Sequence, residues 1–388
     1  MFRLSTILAI LPWLLGAAED PFAGLKPSAP SAPAAREGFF RENFAFKREV
    51  FSQFSYDTGH PPLSSRQSVG FEALKKFSSP TATTASLDVQ VRAVRRDRPG
   101  EVTDDMEGMS REGWFLEYHN LYVDFYNVAG SPGRLNLRVG RFYLPFGLNH
   151  STDTHGTVLQ LSNERNFGFE RDWHAGLWGT LGPWLTYDAY ALLGSGYDVS
   201  LRGQSGLLGT RLGLSEKARN EHGIEAGLSF LGGQRVSREA VERSPSVAGR
   251  AGPDAVVDTH RVGADARWTR LVPTGSASLS TELSLGHDGP DDVATELWQA
   301  DYLSARRRWG LSAQYRRFWE DIGPGAVPVG EFRSGRADAS ALGEFAWYFR
   351  NDVGGAFLES VRLDAERQLE RQAGGTGVIL TLQYYRYW

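Results

Sequence analysis

Residues 276–285 read SASLSTELSL. Ala277, Leu279, Thr281, Leu283 and Leu285 fall on one side of an extended chain, and Ser278, Ser280, Glu282 and Ser284 on the other. Side chains of a strand alternate between its two faces, so this stretch predicts a strand with one apolar and one polar surface. The pattern recurs along the chain. Leu87, Val89 and Val91 oppose Asp88, Gln90 and Arg92. Leu135, Leu137 and Val139 oppose Arg134, Asn136 and Arg138. Trp309, Leu311, Ala313 and Tyr315 oppose Arg308, Ser312, Gln314 and Arg316, while Ala341, Phe345, Trp347 and Phe349 oppose Glu344 and Arg350.

About sixteen such segments fit: 47–56, 67–78, 83–96, 113–127, 133–143, 172–181, 184–193, 206–214, 222–231, 259–269, 276–286, 293–303, 307–319, 338–350, 357–367 and 376–388. Even-numbered connections are short, for example 79–82, 182–183 and 304–306. Odd-numbered ones are mostly longer, notably 97–112, 144–171, 232–258 and 320–337. Short turns on one rim and long loops on the other, with Trp and Tyr at strand ends, predict an all-β transmembrane antiparallel β-barrel with short periplasmic turns and long extracellular loops. After the N-terminus no apolar run reaches spanning length, and lipid leaves the closed barrel as the only other solution.

The composition of the 388 residues agrees. A net charge of -4 argues against nucleic-acid binding. With no cysteine there is no disulfide framework, thiolate metal site or cysteine nucleophile. The mean hydropathy of -0.35 is too low for a bundle of membrane helices. Residues 1–18 read as a secretory signal peptide: Arg3, an apolar run from Ile7 to Leu15, then Gly16, Ala17 and Ala18. Residues 19–46 form a Pro/Ala-rich periplasmic segment whose aromatic end, from Glu37, reads either as a short helix or as the lead-in to the first strand; the barrel occupies 47–388.

The chain ends GVILTLQYYRYW, residues 377–388. It resembles the terminal strand of bacterial outer-membrane barrels, which ends in an aromatic residue and is read by the barrel-assembly machinery. That resemblance implies an assembly signal at Leu380, Leu382, Tyr384 and Trp388, with Arg386 departing from the hydrophobic preference at its position.

The loop 144–171 follows the fifth strand, where sixteen-stranded general porins fold a loop inward. RVGRFYLPFGL (138–148) and RDWHAGLWG (171–179) resemble the phosphate-selective porin family, in which a Gly-x-Phe/Tyr-x-x-Pro-Phe-Gly run leads into a loop and an Arg-Asp pair enters the next strand. The motif covers Arg138 to Gly179, and the strand pattern extends the likeness to the barrel. The resemblance implies a porin; Lys26, Lys47, Lys75, Lys76 and Lys217 are too few lysines to carry over the family's basic lining.

Charged groups at a narrow point set selection by size and charge. The pore candidates are Arg92, Arg134, Arg138, His150, Asp153, His155, Glu164, Arg165, Glu170 and Arg171, with His174 beside them. Arg134 and Arg138 facing acidic loop residues would set a transverse field. The polar parity adds Arg267, Arg308, Arg316 and Arg362 to the wall, against Asp88, Asp265, Glu282, Glu296, Glu344, Asp364 and Glu366. The signs nearly balance, so this census predicts no strong ion preference.

No catalytic or metal site is expected. His150, Asp153 and His155 lack an evident fourth ligand, and the acidic patch of Asp97, Glu101, Asp104, Asp105 and Glu107 reads as a hydrated loop. No G-x-S-x-G elbow occurs. The sequence therefore predicts a passive porin of the Gram-negative outer membrane, without cofactor. Its partners are lipid, the assembly machinery and small hydrophilic solutes; a homotrimer is compatible and nucleic acid is excluded. A barrel sheathing a periplasmic electron-transfer protein is the alternative, and a barrel hydrolase ranks below it.

Overall fold

A computed structural model describes residues 43–58, 63–79, 82–97, 114–148, 159, 162–196, 205–236, 256–321, 336–352, 357–370 and 377–388. Sixteen strands carry the fold. The first eight are β1 (Phe44–Asp57), β2 (Leu63–Ser78), β3 (Thr83–Asp97), β4 (Phe115–Phe125), β5 (Asn136–Tyr143), β6 (Arg171–Thr180), β7 (Leu185–Leu192) and β8 (Gly206–Leu214). The rest are β9 (Ile224–Val236), β10 (Val256–Val272), β11 (Gly275–Asp288), β12 (Asp291–Ser304), β13 (Trp309–Asp321), β14 (Arg336–Asn351), β15 (Leu358–Glu370) and β16 (Val378–Tyr387). Neighbours in sequence are neighbours in space, and β16 pairs antiparallel with β1, closing the barrel. Arg48 N donates to Trp388 O at 2.7 Å and Trp388 N to Arg48 O at 3.0 Å, which seals the junction at the last residue.

The expected sixteen segments match these strands, with ends shifted by a few residues. β1 starts at Phe44, inside the stretch assigned to the periplasmic segment. The signal peptide, most of that segment, and the acidic side chains of 97–107 lie outside the described residues. Two short helices interrupt the connections: α1 (Ser162–Phe167) and α2 (Glu216–His222). His222, read as the start of a strand, ends α2 instead. Ser215 precedes that helix and Gly223 follows it at φ 67, the left-handed conformation that terminates helices.

The two barrel faces invert the soluble arrangement. Outward Leu208, Leu228, Leu285 and Leu363 are 63%, 64%, 63% and 55% exposed, while inward Gln90, Glu282, Gln314 and Gln383 are buried. Apolar exposure on this scale marks a surface that meets hydrocarbon rather than water. No helix among the described residues is long and apolar enough to cross a membrane; the strands do so. In β16, Val378, Leu380 and Leu382 face out, and Thr381, Gln383 and Tyr385 face in. Arg386 holds its guanidinium over the rings of Trp388 (4.6 Å) and Phe357 (5.4 Å). Its stem covers apolar surface while its charge stays at the rim, which accommodates an arginine on the lipid side.

Leu363 sits between Phe345 and Leu382 on the outer wall. Leu363→Arg is expected to destabilise the barrel by about 2–4 kcal/mol, as cations do near the bilayer midplane. Urea titration in lipid vesicles reads the loss.

Candidate functional site

The described parts of the connection between β5 and β6, 144–148 and 162–170, lie inside the barrel. The base of the connection is closed by Leu144 N donating to Glu170 O at 3.0 Å and by the Arg171 guanidinium stacked 3.8 Å from the Tyr143 ring centre. Leu144, Phe146, Phe167 and Phe169 then pack inward against Tyr190, Leu192, Leu207, Leu231 and Val236. Those wall residues, at the end of β7, the start of β8 and the end of β9, make that part of the inner face apolar. Each buried large side chain contributes about 1.5–3 kcal/mol, so the patch gives the loop reason to lie inside. A socket receives it on β10. A Cβ on Gly263 would stand 2.6 Å from Cζ of Phe146, so only glycine lets the ring reach the wall.

Polar pins fix the loop further round the ring. Gly147 N donates to Ser229 Oγ on β9 at 3.1 Å, and Arg235 Nη1 to Phe167 O at 3.1 Å. Ser162 Oγ donates to Glu282, and Ser284 Oγ to Asn166 Oδ1 at 2.9 Å, both on β11. Asn163 Nδ2 donates to Phe146 O at 3.0 Å, tying the two arms of the loop together. Helix α1 also lies against β12 and β13. In a closed ring of sixteen strands, β13 stands seven places from β6 (13 − 6 = 7), so the loop crosses the lumen.

The lumen wall is charged, and its arginines lie against carboxylates. Arg92 Nε lies 2.8 Å from Glu49, Arg66 3.1 Å from Glu117, and Arg138 2.7 Å from Asp124. Arg211 meets Asp265 at 2.6 Å, Arg267 meets Glu225 at 3.4 Å, and Arg235 and Arg261 share Asp288 at 2.7 Å each. Arg316 pairs with Glu366 and Arg362 with Glu344, both at 2.7 Å. Several carboxylates have no such counterpart. Asp88, Asp188, Asp301 and Asp364 face inward, and none forms an ion pair among the described residues. Glu344 and Asp364 stand directly opposite on β14 and β15; like charges so placed repel, and only one of the two has an arginine.

The expected pore residues divide by location. Arg92 and Arg138 are on the inner wall. Arg134 is exposed in the turn 126–135 before β5, so it and Arg138 do not form one cluster. Arg308 likewise lies exposed in the turn before β13. Glu296 belongs to the outer face beside Trp298, opposite Arg317, because the inward residues of β12 are Val293, Thr295 and Leu297. Glu170 binds Arg171 at 3.2 Å instead of facing an arginine wall. Glu164 and Arg165 lie on α1, and His150, Asp153 and His155 fall outside the described residues. His174 is buried between Phe142 and Tyr190. The Arg-Asp pair has a structural use: Asp172 accepts from the backbone of Gly194 at 2.6 Å and Gly196 at 3.0 Å, holding the start of the β7–β8 connection. Strand parity exposes Arg211 and Arg261 as inward residues once β8 and β10 are drawn. Arg235 lies beyond the expected end of β9, and nothing in the sequence signals its bond to the loop.

A closed sixteen-stranded barrel with an apolar exterior, a polar interior and an inward-folded loop defines a porin-type transmembrane barrel. No protein-family model and no curated protein matches the chain. Solved structures do match it across its length. OprB of Pseudomonas putida, in its high-pH structure, is 12% identical, with 89% of this chain and 94% of that one covered at a TM-score of 0.58. OmpF of Salmonella typhi in complex with daunomycin is 10% identical, with 89% and 97% covered at 0.57. OmpT, an outer membrane protein of Vibrio cholerae in trimer form, is 7% identical, with 89% and 99% covered at 0.51. The chain has the fold of these outer-membrane barrels.

Phe167→Ala is expected to remove about 3–5 kcal/mol of packing at the loop anchor. Protease cleavage within 144–170 then becomes faster, while the barrel's resistance to denaturant changes little.

Proposed function

We propose that the protein is an outer-membrane porin of Gram-negative bacteria, a passive diffusion channel for small hydrophilic solutes. The observation that carries this is the two described arms of the connection, 144–148 and 162–170, which lie in a polar lumen and are pinned to β9 and β11. A wide barrel leaks indiscriminately; a fixed bar across it sets a size limit without moving parts. The bar also argues against a sheath, since it occupies the bore that a protein partner would need. No enzymatic role is assigned.

The charge pattern supports a preference for cations over the neutrality read from the sequence. Arg235 and Arg261 share Asp288, the other paired lumen arginines have carboxylates to match, and Asp88, Asp188, Asp301 and Asp364 lie outside these pairs, so the acidic groups outnumber the one shared cation. A low-dielectric wall focuses that surplus on the pore axis and raises the local concentration of cations. A homotrimer fits the apolar exterior, which a neighbouring subunit covers as readily as lipid.

Planar-bilayer recording of the purified protein tests both points. Expected are a steady conductance and, under a potassium chloride gradient, a reversal potential toward that of potassium. Absence of conductance defeats the channel, and a reversal potential toward chloride defeats the cation preference.

A further inference from the structure

The inner wall of β4–β7, between the constriction loop and the short-turn rim, carries a group of aromatic rings unlike the rest of the lumen. Tyr122, Phe142 and Trp178 surround the Arg138 guanidinium at 4.5, 4.0 and 5.7 Å from their ring centres. Tyr126 packs edge-on against Trp178 at 5.9 Å. These four rings are half-buried, so part of each faces the lumen. Behind them the wall is built to let rings lie flat: a Cβ on Gly176 would stand 2.1 Å from Cδ1 of Tyr190.

Half-exposed rings are an expensive lining for a hydrophilic passage. They are not required for barrel closure, since β10–β16 close with lumen faces of mostly Ser, Thr, Gln and charged residues and only scattered apolar ones such as Val293, Leu297 and Phe318. Two further observations bear on what the recess takes. Carboxylates flank it: Asp88 stands opposite Tyr122 across β3–β4, and Asp188 opposite Trp178 across β6–β7. Neither forms an ion pair among the described residues, and Arg138 is already neutralised by a bidentate contact with Asp124 at 2.7 and 2.9 Å. The recess therefore carries a negative surplus. In addition, Trp178 Nε1 is buried without a hydrogen-bond partner among the described residues, a donor left open at the edge of the rings.

We propose that this recess is a subsite for organic cations that carry a flat ring, stacking the ring on Trp178 and Tyr122 and placing the positive charge near Asp88 and Asp188. Ring faces attract cations and stack with other rings, and carboxylates in a confined wall add to both. The inference rests on the channel reading above and names the class of solute that lingers in it. Ordinary inorganic cations feel the charge alone; ring-bearing cations feel the charge and the aromatic surface. They pass the constriction and are held on the wall behind it.

Block of potassium current through the intact protein in planar bilayers tests this. The probes are benzyltrimethylammonium, tetramethylammonium and benzyl alcohol. The half-blocking concentration of benzyltrimethylammonium is expected to be roughly tenfold lower than that of tetramethylammonium, with benzyl alcohol weaker than either. Trp178→Leu removes most of that difference, whereas Trp178→Phe, which keeps a ring, retains it. Asp88→Asn weakens block by both cations. Equal block by the two cations overturns the subsite, and so does unaltered benzyltrimethylammonium block in Trp178→Leu. Potassium current in the unblocked protein separates these outcomes from failure of the channel reading, which appears as no current at all.

Discussion

In hydrocarbon, an unpaired backbone N–H or C=O has no water to turn to and costs several kcal/mol. The rest of this structure depends on that constraint. Sixteen strands meet it by pairing each with its neighbours and the last with the first, down to the reciprocal bonds between Arg48 and Trp388. Closure fixes the side-chain parity of the whole chain. Once β16 is seated on β1, Leu380 and Leu382 face lipid and Thr381 and Gln383 face the lumen, and the register leaves no freedom to exchange them.

The loop 144–170 answers the problem that closure creates. A ring of this size encloses a bore, and its polar wall offers an apolar segment little to bind. The protein makes a local exception on β7–β9, where Tyr190, Leu192, Leu207 and Leu231 face inward and receive Phe146 and Phe167. Beyond this patch the contacts become polar, through Ser229, Glu282, Ser284 and Arg235. Anchorage at one side by burial and at the other by hydrogen bonds holds the bar across the lumen. The aromatic recess on β4–β7 begins where the apolar patch ends, with Tyr190 belonging to the one and lying against the other.

Much of the barrel was legible in the sequence because period-two alternation is enforced by two different solvents. SASLSTELSL names its lipid face and its lumen face without further help. The same parity places Arg92, Arg138, Glu282 and Arg362 inside. It misleads where a residue lies just past a strand end: Arg134 and Arg308 keep the alternation of the strand they precede but sit in turns. Applied to β12, parity puts Glu296 outside, on the face of Trp298. The helix 216–222 carries no strong signal of its own, because its residues form a short connection between two strong strands. Ion pairing was beyond reach, since partners such as Arg92 and Glu49 come from strands that are not adjacent in sequence. For that reason a count of charges suggested balance, while the paired geometry leaves the carboxylates in surplus.

The chain has no cysteine of its own, so a single engineered pair reports one contact cleanly. The most direct measurement is the single-channel conductance of Ser162→Cys/Glu282→Cys, whose side chains replace a direct contact, recorded after bridging with a short bifunctional methanethiosulfonate and again after reduction. A loop that rests across the lumen takes the bridge and gives an open channel of the same conductance in both states. A closed channel in both states, or a large rise in conductance on reduction, contradicts a fixed bar across a permanent pore.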